Sequence, residues 1–201
     1  MKDKVIIIDT DGVLLDWSWG FTTWAFNTHP KLQRLYPSEY KVNTQYNITK
    51  EYGKRLTKEF NSSSDIGFLH PLRDSVKYIN KLADDGYRFH VLSSFSLSPT
   101  AHKLRIQNLQ RLFGDVFVEY TFLNTGEDKD EALAELAIKY NNENLYWIED
   151  KAENADAGEL VGFDPILIAH DSNVNYKGKR FFYFKEVYEY ITKNKFRIGE
   201  Y

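Results

Sequence analysis

The sequence has no cysteine and a single methionine in 201 residues. Without cysteine there can be no disulfide framework, thiolate nucleophile or zinc–thiolate site, so any chemistry must use oxygen and nitrogen groups. No run approaches the roughly 20 apolar residues of a membrane-spanning helix. The opening Met1-Lys2-Asp3-Lys4 passes straight into a short strand-like run, not into the apolar stretch of a signal peptide. A soluble, cytoplasmic protein with no membrane partner is expected. Neither sign of charge dominates: 26 Lys and Arg face 29 Asp and Glu, a net charge of -3. That balance argues against a stable nucleic-acid complex held by phosphate neutralisation, and it leaves the oligomeric state open. What is abundant is aromatic: 14 Phe, 14 Tyr and 4 Trp.

Val5-Ile6-Ile7-Ile8 is an unbroken β-branched run, the pattern of a strand buried on both faces of a parallel sheet. It ends at Asp9-Thr10-Asp11-Gly12. Leu72, Val76, Ile79 and Ala83 keep helical spacing between Pro71 and Gly86, and a strand at 89–92 then stops at Ser93-Ser94. The alternation continues with a helix over 100–113, a strand over 116–120 and a helix over 129–140. Then come a strand at 145–148, a helix over 152–160, a strand at 166–168, a strand at 181–184 and a helix over 187–191. Strict alternation predicts an α/β doubly wound parallel sheet. Residues 16–68 interrupt it with helix and loop, so the predicted organisation is an α/β core of residues 1–15 and 69–201 with a helical insertion between. No internal repeat or low-complexity tract is present.

Ligands of open α/β sheets bind beyond the carboxyl ends of the strands. The residues standing there are Asp9 and Asp11, Ser93 and Ser94, and Glu149 and Asp150. Carboxylates converging at one sheet edge repel unless a cation lies among them, and an all-oxygen donor set favours a hard ion such as Mg²⁺. The five histidines, His29, His70, His90, His102 and His170, are scattered without ligand-like pairing and read as structural or surface residues.

Val5 to Val13, an apolar run followed by Asp-Thr-Asp-Gly-Val, resembles the first motif of the haloacid dehalogenase (HAD) superfamily of phosphotransferases. Ser93 after its strand resembles the second motif, Lys129 at a helix start the third, and Trp147-Ile148-Glu149-Asp150 with Asn154 the acidic fourth. The resemblance implies a Rossmann-like core and an Mg²⁺-dependent phosphomonoester hydrolase working through an aspartyl-phosphate. Asp9 would be the nucleophile and Asp11 the general acid and base. Ser93 and Lys129 would act on the phosphoryl group, with Lys103 a rival for the cationic role. Asp9, the Asp11 backbone carbonyl and Asp150 would hold the metal. Gly12 and Ser94 would lie against the phosphate, and Glu149 and Asn154 behind the ligands. Asn154 stands where many members carry a second aspartate.

In the same resemblance residues 16–68 correspond to a small helical cap that selects the leaving group. At about 100° per residue Trp17, Phe21 and Trp24 share one helix face, with Trp19 and Phe26 on the other. One side can pack the cap while the other faces the substrate cleft, and Trp17, Phe21 and Trp24 are the expected substrate-binding set, stacking on a planar group such as a nucleobase. Tyr46-Asn47-Ile48, Tyr52-Gly53, Phe68-Leu69-His70-Pro71-Leu72 and the stretch from Asn108-Leu109 to Phe113-Gly114 are similar to the 5'(3')-deoxyribonucleotidase branch and its bacteriophage relatives. This implies a nucleoside monophosphate as substrate, and the host cytoplasm as location if the gene is a phage's. Sugar-phosphate or polynucleotide 3'-phosphatase action, a receiver-type phosphoacceptor and a non-catalytic HAD-like binding module are the alternatives.

Overall fold

The computed structural model describes residues 4–140 and 145–195. The parts of the predicted core at 1–3, 141–144 and 196–201 lie outside them. Strand β1 (Lys4–Ile8) pairs in parallel with β2 (Tyr87–Ser94) on one side and β4 (Tyr146–Glu149) on the other. With β3 (Phe117–Leu123), β5 (Asp164–Ile168) and β6 (Arg180–Phe181) they form a six-stranded parallel sheet in the order β3-β2-β1-β4-β5-β6. The order reverses direction at β1, so the switch point falls beside Asp9.

Burial on both faces explains the unbroken apolar run of β1. Ile6 and Ile8 join one core cluster with Ile79 and Leu82 of α4 (Ser75–Asp84), Leu109 and Phe113 of α5 (Pro99–Phe113), and Val187 and Ile191 of α8 (Phe184–Lys195). Ile7 points the other way, among Leu92, Trp147 and the Leu133–Leu136 face of α6 (Asp130–Lys139), with α7 (Ala152–Leu160) alongside. Each fully buried isoleucine contributes about 1.5–3 kcal/mol.

Two boundaries differ from the expected ones for visible reasons. Leu72 does not begin a helix, because its N–H donates to the Leu14 carbonyl at 2.8 Å and Pro71 bridges Leu15. The strand expected at 181–184 ends at Phe181. The Glu186 carboxylate accepts the N–H groups of Phe182 and Tyr183 at 3.0 and 2.9 Å, and that of Asp74 accepts those of Phe184 and Lys185 at 2.8 and 3.1 Å, which starts α8 there.

The segment after β1 contains α1 (Trp17–Thr28), α2 (Val42–Gln45), α3 (Lys50–Asn61) and a 3-10 turn at Ser64–Gly67. Asp16 caps α1 by accepting the Trp19 N–H at 2.9 Å. The helix runs through Gly20 because a side chain there would collide with Leu69: a Cβ would stand 2.3 Å from its Cδ2. Trp17 Nε1 donates to Asn61 Oδ1 at 2.9 Å, and Asn61 Nδ2 donates to the Phe95 carbonyl beyond β2 at 2.9 Å, so the segment is tied to the sheet edge. Among the described residues no helix is long and apolar enough to cross a membrane.

Candidate active site

The turn after β1 is closed by its own backbone. Thr10 O accepts from the N–H groups of Leu14 and Leu15, both at 2.9 Å, and Asp9 N–H donates to Ile148 O on the neighbouring strand at 2.9 Å. Gly12 has φ +74, and a Cβ there would stand 2.4 Å from Asp150 Oδ2. Only glycine therefore lets the acidic end of β4 approach the turn.

Asp9, Glu149 and Asp150 are all buried, and each offers a carboxylate oxygen within 4.8 Å of the other two. Lys129, at the N-cap of α6, places Nζ 2.7 Å from Asp9 Oδ2 and 2.7 Å from Glu149 Oε2. Lys103 is exposed on α5, whereas Lys129 is buried beside Asp9. Glu149 is fully committed: Oε1 accepts the N–H groups of Asp150 and Lys151 at 2.9 and 3.1 Å, and Oε2 also accepts Asn154 Nδ2 at 3.1 Å. Glu149 and Asn154 thus stand behind the site.

These surroundings divide the charges. Burial is the largest influence on Asp9 and pushes its carboxyl up to about 7; Lys129 opposes it, and Glu149 and Asp11 add to it. Burial alone would raise Glu149 as well, but Lys129 and the donors around its carboxylate hold it at about 2. Burial, then the charge of Glu149, raises Asp150 well above the ordinary carboxylate range. Burial disfavours the Lys129 ammonium, yet Asp9 and Glu149 keep it protonated above its ordinary range.

Asp11 is met by a residue that the sequence pattern did not single out. Arg105 on α5 directs both terminal nitrogens to the Asp11 carboxylate, and Nη1 also donates to Thr10 Oγ1 at 2.9 Å. Arg105 and Asn108 stand on the buried stripe of α5 with Ala101, Leu109 and Phe113. Two polar residues on an apolar helix face were the available signal. Fully ionised, Asp9, Asp11, Glu149 and Asp150 would carry two more charges than Lys129 and Arg105 balance, the charge of one divalent cation. Oxygen donors, burial and this deficit fit Mg²⁺.

The two serines differ in their partners. Ser93 Oγ shares a hydrogen bond with Thr10 Oγ1 at 2.7 Å, whereas Ser94 Oγ is buried with no partner among the described residues. Two of the expected stacking residues are corrected. Phe21 and Trp24 are 1% and 5% exposed. They pack on each other and on Phe60, with Tyr46 edge-on to Phe21, so neither offers a free face. Trp17 is half-buried and stacks on Phe21 at 4.9 Å. The opposite face carries the exposed rings, Trp19 and Phe26.

Two further residues reach the site without a motif to announce them. Tyr40 in the inserted segment keeps about half of its surface exposed, at 49%. Its phenol lies in the field of Asp150 above all, with partial desolvation and then Glu149, Asp9 and Asp11 adding, and is pushed well above the ordinary tyrosine range. His170, expected to be structural or at the surface, donates from Nε2 to the Gly12 carbonyl at 2.6 Å.

The same arrangement of sheet and helices recurs among solved structures. A haloacid dehalogenase-like family hydrolase from Streptococcus pneumoniae superposes with a TM-score of 0.69 at 14% identity, over 94% of this chain and 98% of that one. The fold is that of the haloacid dehalogenase-like hydrolases. Another structure with the HAD-like fold is the D,D-heptose 1,7-bisphosphate phosphatase from B. bronchiseptica, complexed with magnesium and phosphate. Its TM-score is 0.61 at 12% identity, over 95% of this chain and 99% of that one. By sequence, this chain is 30% identical over 162 residues to an uncharacterized 32.4 kDa protein of the Gp30-rIII intergenic region of Enterobacteria phage T4. The match takes in 78% of this chain but only 57% of the phage protein. No family model matches.

Proposed function

We propose that this protein is an Mg²⁺-dependent phosphomonoester hydrolase that works through an aspartyl-phosphate, with a nucleoside monophosphate as the first candidate substrate. The observation that carries the reading is the buried Asp9 carboxylate, held by Lys129 at 2.7 Å beside Asp150 and with Asp11 two residues on. Asp9 and Asp150, with the Asp11 backbone carbonyl, would hold the ion, which offsets the repulsion between an anionic nucleophile and an anionic substrate.

The chain's own groups account for the remaining steps. Asp9 attacks phosphorus and the ester P–O bond breaks, while Asp11 gives its proton to the departing oxygen; Asp11 later takes a proton from the water that attacks phosphorus as the Asp9–phosphorus bond breaks, releasing phosphate and freeing the carboxylate. Lys129 orients Asp9, Arg105 fixes Asp11, and the unpartnered Ser94 hydroxyl donates to the phosphoryl group. Residues 16–68 act as the cap, with Tyr40 and Trp17 as its candidates for contact with the leaving group.

The burial of Phe21 and Trp24 favours a second reading, a sugar phosphate, whose recognition needs no stacking face. Phosphate release from nucleoside 5' and 3' monophosphates, sugar phosphates and a 3'-phosphorylated oligonucleotide, with Mg²⁺ and with chelator, separates the two. Asp9→Asn should abolish turnover while the far-UV circular dichroism is kept. Undiminished turnover by that variant would remove Asp9 as nucleophile, and silence of the wild type on every substrate would favour a non-catalytic binding module.

A further inference from the structure

The loop that leaves β5 is held at three successive carbonyls by side chains. Ile168 O accepts from Asn173 Nδ2, Ala169 O from Arg73 Nη2 and His170 O from Arg180 Nη2, each at 2.8 Å. From this fixed position the loop reaches the active site twice. His170 Nε2 donates to Gly12 O at 2.6 Å on the catalytic turn, and Asn173 Nδ2 donates to Asp150 O at 2.7 Å on the acidic strand end. Those two partners are themselves in contact, since a Cβ on Gly12 would stand 2.4 Å from Asp150 Oδ2. One loop therefore grips both sides of the close approach between Gly12 and Asp150.

Asn173 is buried and uses its whole hydrogen-bonding capacity. Its amide nitrogen serves the carbonyls of Asp150 and Ile168, and its Oδ1 accepts from His170 N at 2.9 Å and Arg180 Nε at 2.8 Å. An amide offers two donors and an acceptor with two lone pairs, and an aspartate here would aim an oxygen at two carbonyls. Truncation to alanine would take a partner from four groups, of which the Asp150 and Ile168 carbonyls are in buried hydrogen bonds.

We propose that Asn173 and His170 are positioning residues for the divalent cation: by fixing the main chain at Asp150 and Gly12 they set the spacing between the Asp150 carboxylate and the Asp9–Asp11 turn. The proposal rests on the reading of Asp9 and Asp150 as metal ligands. Groups that orient ligands without touching the ion change metal affinity by roughly 10–100-fold when removed.

The test is Mn²⁺ binding to the purified full chain, read by the electron paramagnetic resonance of free Mn²⁺ and needing no substrate. Asn173→Ala, His170→Ala and Asn108→Ala are compared with wild type, folding being checked by far-UV circular dichroism. Asn108 is also buried and donates to Leu69 O at 3.1 Å, not to a group at the carboxylates, so its loss measures a merely structural effect. Asn173→Ala should weaken Mn²⁺ roughly 10–100-fold, with His170→Ala in the same direction and Asn108→Ala close to wild type. If Asn173→Ala fails to fold, His170→Ala decides. Wild-type affinity in the folded loop variants, or equal weakening in Asn108→Ala, overturns the positioning role. A wild type that binds no Mn²⁺ overturns the metal reading beneath it.

Discussion

Arg105 has no exposed surface, and both of its terminal nitrogens face the carboxylate of Asp11. The Phe95 ring lies 4.7 Å from the guanidinium carbon, and Nε has no partner among the described residues, so packing and a two-pronged ion pair hold the group. A lysine at this position would lose the fork geometry that fixes the orientation of a carboxylate.

Arg105→Lys should therefore act through Asp11. With a poor leaving group such as an alkyl phosphate, kcat should fall about 10²-fold, within the range of general-acid contributions. With p-nitrophenyl phosphate, which needs little protonation, the loss should be small. Equal losses on both esters would mean that Arg105 serves the phosphoryl group and not the acid.

Lys129 tests the buried charge cluster. Lys129→Met leaves Asp9 and Glu149 without their shared cation, and breaking such a pair costs about 3–5 kcal/mol. The double variant Lys129→Met with Glu149→Gln should recover part of that loss in urea unfolding. A single variant as stable as wild type would remove the pair from the account of stability.

The pH dependence of the metal-free protein has a definite sign. The Asp9 carboxyl rises from 3.8 to about 7, so between these values the folded state binds more protons than the unfolded one. Its contribution is fully present below about 3.8 and is lost as pH rises towards 7, a change on the order of a few kcal/mol. His90, lowered from 6.5 to about 4 chiefly by burial, runs the other way over the same window. The comparison is therefore wild type minus Asp9→Asn, both of which keep His90. With chelator this difference should decline from pH 4 to 7, and Mg²⁺ should restore stability above pH 7. A flat difference would contradict the burial of an underneutralised Asp9.

The sheet and the acids at its edge were legible because local pattern decides both: β-branched runs mark buried strands, and ligands gather where strands end. Asp9 and Asp150 follow from strand ends, and Lys129 from the resemblance of its helix start to the third motif. Arg105, Asn173 and His170 carry no such mark. Arg105 meets Asp11 across 94 residues, and His170 meets Gly12 across 158. Tyr40 stands in a loop with no periodicity. The aromatic surplus was ambiguous for a physical reason: the periodicity of α1 separates two faces, but which one is buried depends on Tyr46 and Phe60 from elsewhere in the segment.

That choice of face sets the final expectation. Trp24 is 5% exposed and Trp19 is 52% exposed on the same helix, so alanine should affect them unequally. Trp24→Ala removes a ring packed on Phe21 and Phe60 and should cost about 3–5 kcal/mol of stability. Trp19→Ala loses an edge contact with His70 at 4.5 Å and should change stability by no more than about 1 kcal/mol. If Trp24 serves only packing, any fall in turnover by folded Trp24→Ala should be the same for nucleotide and sugar-phosphate substrates. A loss confined to nucleotides, with stability unchanged, would return Trp24 to the substrate and overturn its place in the interior of the segment.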